Sequence, residues 1–183
     1  IEIFIMIPSL GNFALWLSLF FAILQFAVSF KGNKNFIIYF YKIAVNGFLV
    51  CVLVSFFALM YSHIVSDFSV LNVLHNSHTT KPLLYKISGV WGNHEGSMLL
   101  WILVLSVINY FIYKIYNQQN FIFVSKALQT QGFIIIGFLV FILVTSNPFE
   151  RIIPAPSNGL GFNPILQDPA LAIHPPLLYT GYV

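Results

Sequence analysis

The chain has 183 residues, 58% of them hydrophobic and only 7% charged, with a formal net charge of +3. A water-soluble domain carries roughly 25% charged residues, so a soluble globule is excluded and lipid is the solvent that suits these side chains. The same figures exclude an intrinsically disordered chain, and without any basic cluster no nucleic acid is expected as a partner.

The first membrane span is predicted over about residues 9–30, uncharged and long enough for a hydrocarbon core that needs roughly 20 residues. Pro8 and Ser9 punctuate its start. It has no basic leader and no small-residue cleavage site, so it reads as a permanent span and not as a cleaved signal. Residues 31–35 form a polar turn, and the aromatic stretch 36–41 suits the headgroup level, where Lys42 can snorkel. A second span covers about residues 43–64. It contains Cys51, the one cysteine, which excludes an internal disulfide and reads as a small buried hydrophobe.

A mixed loop, residues 66–93, follows the second span and holds His75, His78, Lys81, Pro82 and Lys86. Its segment 68–74 alternates imperfectly and suits a short strand or a surface-lying stretch. His75 and His78, with His63 just upstream, lack further ligands at recognisable metal-site distances and read as solvated loop histidines. The third span is predicted over about residues 97–116, and the fourth over about residues 121–145.

Just before the third span lies Trp91-Gly92-Asn93-His94-Glu95-Gly96-Ser97-Met98-Leu99-Leu100-Trp101. Asn93 is a candidate N-cap, and Glu95 suits the positive end of the helix macrodipole. His94, Met98 and Trp101 fall on one helix face. Two readings stay open for His94 and Glu95: lining a ligand cavity or partner contact, or capping beside an aromatic anchor.

Residues 147–176 carry seven of the nine prolines (Pro148, Pro154, Pro156, Pro164, Pro169, Pro175 and Pro176) and read as a rigid outer-face loop. Asn163-Pro164 and Asp168-Pro169 each pair a cap residue with proline and read as short helix starts. Residues 177–183 are predicted to begin a fifth span. His174 precedes Pro175, which favours an extended backbone at His174 and a helix start at Pro175. An imidazole held there suits either an axial haem ligand or an interfacial helix cap. The expected fold class is therefore all-α: a polytopic transmembrane bundle with four full spans, the start of a fifth, and an outer-face proline-rich loop.

Five of the eight Lys and Arg residues (Lys31, Lys34, Lys42, Lys114 and Lys126) flank the two short turns, which should face the matrix or cytoplasm. The remaining three (Lys81, Lys86 and Arg151) are spread over the longer segments, which should share the outer face.

The motif at residues 91–101 closely resembles the WGxHEGSxLLW signature of the CcmF family of cytochrome c haem lyases from the System I maturation pathway. Matching segments continue through Asp67-Phe68-Ser69-Val70, Tyr85-Lys86, Thr145-Ser146-Asn147-Pro148-Phe149, Asn163-Pro164-Ile165-Leu166-Gln167-Asp168-Pro169 and His174-Pro175-Pro176-Leu177-Leu178-Tyr179-Thr180-Gly181-Tyr182-Val183. A nitrite-reductase assembly relative shares these signatures. The resemblance implies a protein that takes haem from a carrier on the outer face and joins it to the CxxCH thiols of apocytochrome c. It implies His174, in the family's HPP motif, as an external haem axial ligand. Trp91, His94, Glu95, Trp101, Pro175, Pro176 and Tyr179 come with it as motif, cavity or partner-contact residues, and no catalytic residue is identified.

The family's tryptophan-rich WWD segment and its internal b-type haem ligands lie beyond the matched residues. The resemblance therefore implies one piece of a split protein, inactive alone, with a second polypeptide carrying the WWD segment and those ligands. No metal other than haem iron is expected. Abundant Phe, Ile, Asn, Tyr and Lys, residues with A/T-rich codons, suggest an organellar genome. The expected location is the mitochondrial inner membrane, with the proline-rich tail toward the intermembrane space, before a bacterial plasma membrane. The alternative function is a structural subunit of a respiratory membrane assembly without its own haem chemistry.

Overall fold

Four long helices carry the chain across the bilayer, and three of them start where an asparagine side chain takes up an otherwise unpaired backbone donor. The computed structural model describes residues 2–30, 33–116, 120–161 and 167–182. The helices are α1 (Glu2–Val28), α2 (Lys34–Val65), α3 (Leu71–Asn76), α4 (Leu83–Ser88), α5 (His94–Tyr116), α6 (Phe121–Thr145) and α7 (Pro169–Tyr182). Segments of α1, α2, α5 and α6 are long and apolar enough to cross a membrane. Among the described residues there is no strand, only an isolated antiparallel bridge between Val70 and Arg151. The all-α polytopic bundle with four spans is thus borne out.

The four spans form a ring in which α1 packs against α2 and α6, and α5 packs against the same two helices. Leu15, Phe48, Leu59, Leu99, Ile102 and Leu139 are buried between them, while Phe13, Phe20, Phe57, Phe133 and Val144 face outward. Apolar residues on the outside as well as the inside are what a helix needs when lipid is its solvent. Near the turn end, Tyr41, Val45, Tyr113 and Leu128 close a second cluster.

Several boundaries differ from expectation. Pro8 lies inside α1 and does not start it. It withdraws one helical hydrogen bond, and the helix runs past it. The second helix begins at Lys34, because Asn33 accepts from the Phe36 amide at 2.9 Å, and the aromatic stretch 36–41 forms its first two turns. The third begins at His94, three residues before the expected start. The segment 68–74 is no strand: after the Val70 bridge, residues 71–76 turn into α3.

Proline density does not keep the tail irregular throughout. Asp168 accepts from the amides of Ala170 (2.8 Å) and Leu171 (3.2 Å), and α7 runs on through Pro175 and Pro176. The Asp168-Pro169 helix start is borne out, whereas the Asn163-Pro164 pair lies outside the described residues. Before α7, residues 147–161 lie along α3 and the loop after it. The Ile152 amide donates to the Ser69 carbonyl (2.9 Å), the Leu71 amide to Glu150 (2.8 Å) and the Leu160 amide to Leu74 (2.8 Å).

Candidate functional site

The turn before α5 is built around two close approaches. Gly96 sits so near the Val90 carbonyl that a Cβ there would collide with it. The Asn93 side chain accepts from the Gly96 amide at 2.8 Å, which makes it the N-cap of α5, and its amide donates to the Gly89 carbonyl at 2.8 Å. Ser97 then donates its hydroxyl to the Trp91 carbonyl at 2.7 Å. The motif therefore folds back on itself and fixes Trp91.

Trp91 points its indole at the proline-rich helix. Its Nε1–H donates to the Ala172 carbonyl at 2.8 Å, and its ring stacks on Phe56 with 6.4 Å between centroids and 8° between planes. Trp101 stacks on Tyr179 at 5.8 Å and 15°, and leans on Phe138 at 5.0 Å. The two tryptophans that bracket the motif thus reach α7 on either side of His174 in the chain.

His174 is exposed on α7. Its backbone is helical, which corrects the expectation of an extended residue above a helix mouth. The restraint that proline places on its predecessor is overridden here by the Asp168 cap upstream and by tertiary contacts that hold the helix on both sides. Pro175 and Pro176, partly buried, follow within the same helix and do not begin it.

His94 is exposed, and its ring meets Phe141 edge-on at 5.9 Å. Met98 lines an apolar slot of about 390 Å³ with Ile134, Gly137, Phe138 and Phe141. Since Trp101 also meets Phe138, His94, Met98 and Trp101 do share the face turned to α6. Glu95 points elsewhere. It accepts from the Asn72 amide at 3.3 Å and lines a small polar cleft with His75, Asn147 and Glu150.

One side chain was misjudged from sequence. His63 is fully buried and not solvated. Its Nε2 pairs with Asn72 Oδ1 at 2.9 Å, and Asn72 donates to Asn93 Oδ1 at 2.7 Å. The end of α2 is thereby wired through α3 to the cap of α5. Its place at the end of an apolar run, beside a polar loop, favoured a solvated histidine in the sequence. Only the fold of α3 over it decides. His75 is exposed, while His78 pairs with Thr80 and Asn158. No group of three or more His, Cys, Asp or Glu among the described residues is arranged to hold a metal ion.

Residues 91–183 match the family model described as Cytochrome C assembly protein. The chain belongs to that family. It is 47% identical over 181 residues to the cytochrome c-type biogenesis protein CycK of Rhizobium meliloti, covering 97% of this chain and 27% of the relative. It is 42% identical over 183 residues to the cytochrome c-type biogenesis protein CcmF of Haemophilus influenzae, covering 97% and 28%. A solved structure titled Cytochrome c Heme Lyase CcmF superposes with a TM-score of 0.77 over 96% of this chain and 28% of that one, at 24% identity. That superposition bears out the fold, and the relatives bear out the CcmF resemblance read from the motifs. The chain spans little more than a quarter of the length of the relatives it matches. Membership of this family of cytochrome c biogenesis proteins supports a role in cytochrome c maturation, with α1, α2, α5 and α6 in the membrane.

Proposed function

We propose that the chain forms the N-terminal part of a membrane haem lyase, which holds haem at the outer face and helps join it to the CxxCH thiols of apocytochrome c. The carrying observation is an exposed imidazole, His174, on a helix clamped by both tryptophans of the motif. Ile173, Leu177 and Leu178 leave apolar surface on the same helix. An imidazole nitrogen with apolar neighbours suits haem, and His174 would be the residue on this chain that holds its iron. Haem, when bound, supplies the vinyl groups to which the thiols add.

The chain's own part is to bind and orient. His174 presents a ring nitrogen from a fixed helix. Trp91, Trp101, Pro175, Pro176 and Tyr179 set that helix against the bundle. His94 and Glu95, at the mouth of α5, shape the adjoining cavity or meet the docking partner. A second polypeptide carrying a WWD segment continues the fold and provides the internal b-type haem ligands. A haem carrier and apocytochrome c approach from the outer face, in the mitochondrial inner membrane with the proline-rich tail toward the intermembrane space.

The test is affinity purification of the chain with its native partners. The preparation should contain haem and a chain bearing the WWD segment, and His174→Ala should remove most of that haem. Unchanged haem content in the variant overturns the ligand role, and a complete assembly without a WWD chain overturns the split.

A further inference from the structure

In a helix each backbone N–H donates to the carbonyl four residues earlier. Proline has no N–H to give. Pro175 therefore leaves the Leu171 carbonyl without its helical donor, and Pro176 leaves that of Ala172 without one. The two vacancies are not equivalent. Leu171 is 41% exposed, so its carbonyl lies on an open part of the helix, whereas Ala172 is 5% exposed. A buried carbonyl without a donor is strongly unfavourable. The Trp91 indole goes to that one, at 2.8 Å.

We infer that Trp91 is a positioning residue for His174: its indole N–H takes the place of the backbone donor that Pro176 lacks, and so fixes where the histidine-bearing helix stands. The purpose rests on the ligand reading of His174, while the geometry does not. Ala172 is the one buried residue described on α7. Trp91 holds the helix two residues before His174, and the Trp101–Tyr179 stack holds it five residues after. Trp91 is itself pinned by the Phe56 stack and by the Ser97 hydroxyl on its carbonyl. The folded-back motif before α5 is in this sense the mount for the helix that follows the loop. A phenylalanine at residue 91 would keep the ring and lose the donor. An alanine at residue 176 would restore a backbone N–H within reach of Ala172 and make the indole redundant.

The experiment compares Trp91→Phe, Pro176→Ala and the double variant in the purified, haem-loaded assembly. Two readouts are taken: amide hydrogen exchange of the peptide covering α7, which does not depend on haem, and the haem absorption spectrum, which reports its axial ligand. Trp91→Phe should speed exchange in α7 by about tenfold, the ratio expected for one lost hydrogen bond, and shift the haem spectrum. Made on top of Pro176→Ala, the same change should leave both within about twofold. Equal effects in the two backgrounds, or no effect in either, overturn the inference. Coupled exchange together with a spectrum insensitive to His174→Ala keeps the Trp91 bond and overturns the ligand reading alone.

Discussion

A methyl group at Gly96 would run into the Val90 carbonyl, while one at Gly137 would meet nothing within 4 Å. Gly96→Ala should therefore lower stability by about 2–3 kcal/mol, the upper range for overpacking, and Gly137→Ala should hold or slightly raise it. Unfolding titrations in detergent measure both, and equal effects would show that the turn before α5 is not the tight element described. Lys81 gives a second check at this scale. It is 8% exposed and donates to the Asn76 carbonyl at 2.8 Å. Burial, and then the Lys86 charge, lowers its pKa from 10.5 to about 8. Between those values the folded side chain has released a proton that the unfolded chain still holds. Stability therefore rises with pH across this window, and the full penalty applies below it. Lys81→Met should lose this rise between about pH 8 and pH 10.5, measured as the difference in thermal unfolding from the parent. Identical slopes would remove Lys81 as the cause. Single residues were the hardest features to read in the sequence. The Asn93 cap was legible because capping is local. The burial of His63 was not, because it depends on Asn72 and on α3 folding above it.

Elements were more legible than their joints. Apolar runs of membrane length identify the four spans, since backbone groups in lipid must bond within the segment. Polar residues inside the spans carry no local signal of their partners, and Gln25 with Asn109 shows this. Gln25 Nε2 donates to Asn109 Oδ1 at 3.1 Å and to the Leu128 carbonyl at 2.8 Å, and Asn109 Nδ2 returns a bond to Gln25 Oε1 at 2.6 Å. Both side chains are fully buried, and the bonds tie α1, α5 and α6 together. Gln25→Leu or Asn109→Leu alone should lower stability by about 1–2 kcal/mol, because each strands a polar partner in the bundle. The double variant should lose less than the sum, since no orphan remains. Strict additivity in a denaturing-detergent titration would sink the pairing. The same limit explains α7. The sequence signalled its start through Asp168 and Pro169, but the interruption expected at His174-Pro175-Pro176 does not stop the helix. Trp91, which donates to Ala172, stands 81 positions away, and no local pattern announces it.

At the scale of the whole chain, the ring of spans decides which segments share a side. The ends of α2 and α6, the starts of α1 and α5, helices α3 and α4, and residues 147–161 lie at one end of the bundle. The turns after α1 and α5 lie at the other. Which end faces the matrix or cytoplasm follows from charge: Lys34, Lys42, Lys114 and Lys126 lie around the short turns, and Lys81, Lys86 and Arg151 on the opposite side. A cluster of lysines within short connections resists translocation more than the same charges spread over long ones. Cys51 is buried and is the one cysteine, so single exposed cysteines can be introduced without a competing site. In sealed membranes with the outer face exposed, Thr79→Cys and Ser157→Cys should react with an impermeant maleimide. Asn35→Cys and Asn120→Cys should react only after permeabilisation. All four positions are exposed to solvent or headgroups, so a failure to label cannot be put down to packing. The reverse pattern would invert the orientation and remove His174 from the face where haem delivery is proposed. Labelling of one residue from each pair would break the four-span topology itself, because Thr79 and Ser157 are held together through Asn158, which bonds the Thr79 amide at 3.1 Å.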